Sequence, residues 1–269
     1  AIVTENFLHE KATASILCRE AGADIFPVDI GVARDTTVIN RKIAYGTKNF
    51  VKEPAMTREQ AVRALETGIA MAEELKEKGY QILATGEMGI GNTTTSSAVA
   101  SVLLGKDPAE MTGRGAGLSS EGLRRKISVI EEGIRLHQPD PVDAVDVLAK
   151  VGGFDIAGMA GVFLGGAALG IPVVMDGFIS AAAALLACRI APGTERFILP
   201  SHMSGEPGMG RILRELDKEA FIGCHMKLGE GTGAVALMPL LDMTLEVYRK
   251  MPDFVGIQIE AYKPLGGEA

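Results

Sequence analysis

Aromatic residues are scarce in this sequence and basic residues are outnumbered by acidic ones, and each shortage argues against a class of function. The 269 residues contain no Trp, and only 5% of them are aromatic. A platform that stacks single-stranded nucleic acid on aromatic rings is therefore not expected. The formal net charge is −7. Neither nucleic acid nor an anionic membrane is expected as the main partner, because neither would be attracted over long range.

Cysteine and histidine motifs are also lacking. Cys18, Cys188 and Cys224 lie far apart and form no C-x-x-C pair. They predict buried thiols in a reducing compartment, not a disulfide framework or a zinc site. The four histidines show no ligand spacing, so no metal is expected. The first residues have neither the basic nor the apolar region of a secretory signal, which favours a cytoplasmic protein.

Glycine and aliphatic residues are abundant instead. The chain is 47% hydrophobic and has 33 glycines, which predicts one large domain with many tight turns, suited to a small-molecule ligand. Residues 156–175 carry no charge and are long enough to raise the question of a membrane span. Several glycines and Pro172 divide this stretch into a helix and a strand. We therefore expect it to be buried in an α/β core.

Apolar strands and amphipathic helices alternate along the chain, and glycine loops follow several strands. Strands are predicted at residues 24–32, 80–85, 171–175 and 197–200. Helices are predicted at residues 5–21, 57–78, 92–104, 121–136, 142–150, from 155 onward, 178–188 and 234–251. This order is typical of an α/β fold with a mainly parallel, doubly wound sheet.

Residues 85–105 combine a strand end, a glycine loop and a helix start. Gly89 and Gly91 allow a sharp turn with exposed N–H groups, and Asn92 and Thr93 offer N-cap side chains. Such a site favours a phosphate, because the helix dipole and unpaired amides attract anions. The loop lacks the Lys of a Walker loop and does not match G-x-G-x-x-G. On the glycines alone, a purely structural turn is an equal alternative.

Charged residues near this loop allow more than one interpretation. Glu87 would repel a phosphate unless it contacts another part of the ligand, such as a ribose hydroxyl. Lys126 follows a second glycine cluster and would supply the positive charge that the first loop lacks. Arg124 and Arg125 are alternatives for this role, and each of the three basic residues alone is typical of a solvent-exposed side chain. Asp29, near the end of its strand, is either functional or a turn former.

Seven segments of the chain carry a family resemblance when they are taken together. They are TGEMGIGNTTTSSAV (85–99), NRKIAYGTKNFVKEPAMTREQA (40–61), TGRGAG (112–117), VGGFDIAGMAG (151–161), DGFI (176–179), SHMSGEPG (201–208) and KLGEGTGA (227–234). In this order they resemble the nicotinate-nucleotide:dimethylbenzimidazole phosphoribosyltransferase family of cobalamin synthesis. The resemblance covers nearly the whole chain. It implies one Rossmann-like domain over residues 1–269, with a small helical subdomain built from the two chain ends, and a homodimer.

The resemblance also implies a reaction that needs neither metal nor cofactor. Ribose 5-phosphate would pass from nicotinate mononucleotide to a lower-ligand base such as 5,6-dimethylbenzimidazole, giving α-ribazole phosphate and nicotinate. Glu230 matches the family's proton acceptor, and Glu87 matches the second acidic residue of its motif. The substrate-binding residues that the resemblance implies are Gly89, Gly91, Asn92, Thr93, Lys126, Gly177 and Ser204.

Two other interpretations stay open at this point. The chain could be a non-catalytic or partner-dependent paralogue that binds the nucleotide, or a regulatory nucleotide-binding module. Family members usually carry an upstream segment with an ADHG-type sequence that lines the base pocket, and this sequence starts after it. The choice among benzimidazole, purine and phenolic bases is therefore left undetermined by the sequence.

Overall fold

A parallel sheet of three short strands lies at the centre of the computed structural model, which describes residues 1–261. The sheet has the order β3 (Leu83–Ala84), β4 (Val173–Met175) and β5 (Ile198–Pro200). A separate parallel pair is formed by β1 (Val28–Asp29) and β2 (Ile39–Asn40). Since β3, β4 and β5 run in the same direction, the loops that follow them meet at one edge of the sheet.

Helices surround this sheet. They are α1 (Ile2–Asn6), α2 (Thr13–Ala21), α3 (Arg58–Glu77), α4 (Asn92–Leu104), α5 (Pro108–Met111), α6 (Ser120–His137), α7 (Ala144–Val151), α8 (Phe154–Leu169), α9 (Phe178–Ile190), α10 (Met209–Glu215) and α11 (Thr232–Lys250). Short 3₁₀ turns lie at Phe7–His9 and Thr194–Phe197.

Both faces of the sheet are covered. Val173 and Met175 of β4 belong to the main hydrophobic core, which α8 and α9 also line. The side chain between them, Val174, packs with Ala234 and Leu237 of α11 in a second, smaller cluster. This alternation is what a strand with helices on both sides requires. The predicted parallel, doubly wound α/β class is thereby confirmed.

The uncharged stretch 156–175 is buried, as expected, because α8 packs closely against α3. A Cβ atom built on Gly161 would lie 2.0 Å from the Leu65 carbonyl oxygen, and one on Gly68 would lie 2.0 Å from the Gly158 carbonyl oxygen. Only residues without side chains allow the two backbones to come this close. None of the helices in residues 1–261 is both long and apolar enough to cross a bilayer.

Two predicted elements near the N-terminus are wrong in extent. The predicted helix 5–21 is broken, because Glu10 adopts a left-handed φ of 52° between the 3₁₀ turn and α2. The predicted strand 24–32 pairs only at Val28–Asp29. It ends there because the Asp29 carboxylate accepts a hydrogen bond from the Val32 N–H at 2.9 Å and forms a turn.

Asp29 therefore forms a turn, as one of its two alternatives predicts. It is buried and pairs with Lys42, whose Nζ lies 2.7 Å from its carboxylate. The predicted ends of two helices agree with the structure: Thr57 and Gln60 form a capping box at the start of α3, and α2 ends at Ala21, directly before Gly22. Helices α2 and α11 pack against each other, so the two ends of the described chain meet. A distinct subdomain at that place stays a prediction.

Candidate active site

The loops that follow β3, β4 and β5 meet the loop before α11 at the carboxyl edge of the sheet. The Glu230 N–H donates a 2.7 Å hydrogen bond to the Glu87 carbonyl oxygen. A Cβ atom built on Gly86 would lie 2.6 Å from the Gly231 backbone nitrogen, so glycine is needed for this approach. Glu87 and Glu230, predicted from motifs far apart in the chain, are thus neighbours in the structure.

Glu87 is half-buried and is held by polar groups. Its Oε2 accepts hydrogen bonds from the Gly89 N–H and from Asn92 Nδ2, the latter at 2.7 Å. The pKa of Glu87 is raised to about 7, chiefly because of burial; the Asn92 hydrogen bond opposes this shift and the nearby Asp155 charge adds to it. Near neutral pH, Glu87 is therefore present in both protonation states.

Asn92 links Glu87 to a second acid that the sequence analysis did not assign to the site. The same Nδ2 group donates to Asp155 Oδ2 at 2.7 Å. Asn92 Oδ1 is buried and has no hydrogen-bond partner among residues 1–261. The sequence signals for Asp155 were its place at a helix start after a Gly-Gly pair and its position within the segment VGGFDIAGMAG (151–161).

The predicted N-cap of α4 needs correction. Gly91, with a φ of 79°, occupies the N-cap position, and no side chain caps the helix. Asn92 does not cap α4 because its amide bonds the two carboxylates instead. Gly89 also has a positive φ, 76°. The glycine loop therefore turns sharply, as expected, and the first-turn N–H groups of α4 lack a side-chain acceptor.

Lys126 is the positive group at this helix start. Its Nζ donates to Thr93 Oγ1 at 2.9 Å and to the Gly113 carbonyl oxygen at 3.1 Å, and the residue is 7% exposed. Burial lowers the pKa of Lys126, and the carboxylate of Glu206 opposes that shift. Glu206 in turn accepts a hydrogen bond from the Gly115 N–H at 3.0 Å. The Lys126 ammonium group is thus fixed beside Thr93, whereas Arg124 and Arg125 are exposed.

Asp176, directly after β4, fixes the start of α11. Its carboxylate accepts hydrogen bonds from the N–H groups of Gly231, Gly233 and Ala234 at 3.2, 2.8 and 3.1 Å. Burial raises the pKa of Asp176 to about 6, and these N–H groups act against the shift. The signal available in the sequence was an Asp-Gly pair at the end of an apolar strand.

Gly177 and Ser204, both predicted to bind substrate, face the same small space. A Cβ atom built on Gly177 would lie 3.7 Å from Ser204 Oγ and 3.5 Å from His202 Cε1. His202 is buried and was not predicted to belong to the site. The loop after β5 therefore contributes Ser204, His202 and Glu206 to one region.

Glu230 is the last of the predicted site residues. It has a left-handed φ of 61°, and its Oε2 accepts a hydrogen bond from the Ala14 N–H at the start of α2, at 3.2 Å. Its carboxylate is only partly buried. The site thus offers a cation beside open helix amides and, on the adjoining loops, carboxylates able to accept a proton. Such an arrangement suits a reaction between a phosphorylated substrate and a second substrate that loses a proton.

The raised pKa of Glu87 predicts a pH-dependent stability. The unfolded chain binds a proton at this group with a pKa near 4.5, so the stability that protonated Glu87 contributes is lost as pH rises through about 7. Glu87→Gln cannot ionise. We expect it to increase the free energy of unfolding at pH 8 by about 1 to 3 kcal/mol, with a smaller effect at pH 5.

Urea unfolding at both pH values measures this difference. The matched control is Glu131→Gln, on the exposed face of α6, which should change stability equally at both. A Glu87→Gln effect that does not grow with pH would contradict the assignment of the titrating group.

Comparison with known proteins gives the same family as the motifs. A model of the family described as Phosphoribosyltransferase matches residues 1–259. Nicotinate-nucleotide–dimethylbenzimidazole phosphoribosyltransferases from Ruminiclostridium cellulolyticum and Clostridium acetobutylicum are each 52% identical to this chain, over 98% of its length and 76% of theirs.

The solved structures agree with the sequence relatives. The crystal structure of CobT from Thermus thermophilus superposes with a TM-score of 0.91 at 37% identity, covering 96% of this chain and 78% of that one. Fold, site motifs and similarity over nearly the whole chain therefore point the same way. The chain belongs to the nicotinate-nucleotide–dimethylbenzimidazole phosphoribosyltransferase family.

Proposed function

We propose that this chain transfers the ribose 5-phosphate group of nicotinate mononucleotide to a lower-ligand base such as 5,6-dimethylbenzimidazole. The products are nicotinate and α-ribazole phosphate, an intermediate for cobalamin. The observation that carries this proposal is the meeting of two acidic loops, residues 86–89 and 229–231, in a member of this family whose Lys126 cation lies at the start of α4.

The phosphate would bind where α4 begins. There, first-turn amides without a side-chain cap combine with a buried ammonium group, Lys126 Nζ, beside Thr93 Oγ1. Gly89 and Gly91, both with positive φ, bring backbone N–H groups close to a ligand without side chains in the way. Charge-assisted hydrogen bonds of this kind are the strong ones in proteins.

The chemistry needs alignment and one base. The C1′–N bond to the nicotinate ring breaks with its electron pair returning to the pyridinium nitrogen, which removes the positive charge of the ring. One nitrogen of the incoming imidazole forms the new bond to C1′, and its other nitrogen loses a proton. Glu230 would accept that proton. Glu87 would contact a ribose hydroxyl, and near pH 7 it is present in both protonation states. Gly177 and Ser204 would lie against the same substrate.

Turnover by the purified chain tests the function directly. With nicotinate mononucleotide and 5,6-dimethylbenzimidazole, we expect nicotinate and α-ribazole phosphate to appear in equal amounts. Tight nucleotide binding without either product would instead indicate a non-catalytic nucleotide-binding paralogue.

Glu230→Gln should abolish most of this activity. The amide keeps the size of the side chain but accepts no proton, so kcat should fall by roughly 10² to 10⁴. The KM for nicotinate mononucleotide should stay close to that of the parent, because the phosphate is held by other loops. Steady-state kinetics measures both constants, with Glu219→Gln on the surface as the matched control. An unchanged kcat would remove the base assignment from Glu230.

Lys126→Met should produce the opposite pattern. Methionine fills the space of the lysine stem but removes the charge, so the loss of one charged hydrogen bond, about 1.5 to 3 kcal/mol, should raise the KM for the nucleotide roughly 10- to 150-fold. Arg125→Met, an exposed neighbour on the same helix, is the control. Parent-like nucleotide affinity in Lys126→Met would place the phosphate elsewhere.

We also propose that the chain acts as a homodimer. Apolar side chains on the outer half of α11 and just beyond it are 58 to 87% exposed, namely Met243, Val247, Tyr248, Met251 and Val255. A second copy would cover this surface, since exposed apolar patches of this kind usually mark an interface. The same region would form the small subdomain proposed for the two chain ends. The three cysteines are unpaired, which suits a reducing cytoplasm, although only Cys18 is buried as predicted, while Cys188 is partly buried and Cys224 is exposed.

Light scattering at micromolar concentration tests the dimer. We expect about twice the chain mass of 28.3 kDa. Val247→Glu should shift the population to monomer, because the new charge would be buried at the interface. Val142→Glu, in an exposed loop, should not. A parent protein that is monomeric at this concentration would overturn the proposal.

A further inference from the structure

His202 is a buried side chain that the reaction described above does not use. It follows β5 directly, is 3% exposed, and lies between the start of α11 and the Gly177 turn. A Cβ atom built on Gly233 would lie 1.9 Å from His202 Nδ1, so α11 begins with glycines partly to make room for this ring. The imidazole is therefore fixed in place by the fold.

The surrounding hydrogen bonds determine which ring nitrogen carries the proton. Ser201 Oγ lies 3.1 Å from the Asp176 carbonyl oxygen and 3.0 Å from His202 Nδ1. A carbonyl only accepts, so the single hydroxyl proton goes to Asp176, and Nδ1–H must donate to Ser201 Oγ. The Asp176 carboxylate, 3.8 Å from Nδ1, favours the same tautomer. Nε2 is then a bare acceptor.

Burial also keeps this ring uncharged, since it lowers the pKa of His202. Within residues 1–261, Nε2 has no hydrogen-bond partner. It faces the space beside Gly177, where a Cβ atom would lie 3.6 Å from Nε2 and 3.7 Å from Ser204 Oγ. A neutral nitrogen acceptor, held rigidly and left unpaired, is suited to a ligand that donates a hydrogen bond.

The position of His202 indicates which part of the substrate donates the hydrogen bond to Nε2. On one side, the same loop reaches Glu206, which bonds the Gly115 N–H next to Lys126 at the proposed phosphate end. On the other side, Gly233 contacts the ring three residues after Glu230. Between the phosphate and the reacting bases lies the sugar, and its hydroxyl groups are hydrogen-bond donors.

We propose that His202 Nε2 accepts a hydrogen bond from a hydroxyl group of the substrate ribose and so orients the sugar between Lys126 and Glu230. The inference rests on the proposed transferase function. It adds a substrate-binding residue that is selective for a ribosyl over a deoxyribosyl group.

The test combines variants with altered sugars. His202→Asn keeps a donor near the Nδ1 position but removes Nε2, whereas the longer His202→Gln can place an amide oxygen near Nε2. The substrates are nicotinate mononucleotide and its 2′-deoxy and 3′-deoxy analogues. His9→Asn, at an exposed position, is the matched control, and thermal unfolding verifies that each variant is folded.

We expect His202→Asn to lower kcat/KM for nicotinate mononucleotide about 3- to 10-fold, as for loss of one uncharged hydrogen bond. For the analogue that lacks the contacted hydroxyl, the same substitution should have almost no effect, and His202→Gln should recover part of the loss. Equal losses with all three substrates would overturn the proposal. Absence of turnover in the parent and His9→Asn would instead refute the transferase function.

Nitrogen-15 NMR of the parent protein provides a test that needs no variant to fold. The chain has four histidines, so the imidazole spectrum is simple. His202 should show a neutral Nδ1–H tautomer, and addition of nicotinate mononucleotide should shift Nε2 as it accepts a hydrogen bond. An Nε2–H tautomer, or an Nε2 resonance unaffected by saturating nucleotide, would contradict the inference.

Discussion

The Asp176 carboxylate is the contact on which the geometry of the site depends. It lies at the end of β4, is almost fully buried, and binds three backbone N–H groups at the start of α11. A buried carboxylate is costly unless hydrogen bonds satisfy it, and here the helix start supplies them. Because those N–H groups follow Glu230 directly, Asp176 also determines where Glu230 lies relative to the sheet.

Close backbone approach provides the second constraint. Gly86 lies against Gly231 with no room for a side chain between them, and the Glu230 N–H bonds the Glu87 carbonyl oxygen. The two carboxylates therefore come from segments about half the chain apart, yet their separation is fixed by backbone contacts rather than by mobile side chains. Preorganisation of this kind lets an enzyme hold two substrates in the alignment that their reaction requires.

Local signals made much of the fold predictable. The capping box at Thr57, the glycine that ends α2 and the glycines that divide residues 156–175 each act within a few residues, so the sequence alone reveals them. The α/β class followed from the order of the strands and helices that these signals delimit. The strands were harder: β3 has only two residues, because the sheet is held mainly by helix packing on both faces rather than by long ladders.

Site residues that lie in sequence motifs could be predicted. The roles of residues that depend on contacts with distant segments could not. Asn92 was expected to cap α4, but two carboxylates, one of them Asp155 from a distant segment, compete for its amide. His202 was judged by its lack of ligand spacing, whereas its role depends on the Ser201 hydroxyl and the carbonyl of Asp176. Interactions of this kind follow from the tertiary structure and leave no periodic trace in the sequence.

A crystal structure of the protein with nicotinate mononucleotide tests the central claim most directly. We expect the phosphate within hydrogen-bond distance of Lys126 Nζ and the first-turn amides of α4, and C1′ on the side of the site that Glu230 lines. A nucleotide bound with its phosphate away from Lys126, or with C1′ turned away from Glu230, would contradict the division of the site into a phosphate end and a proton-accepting end.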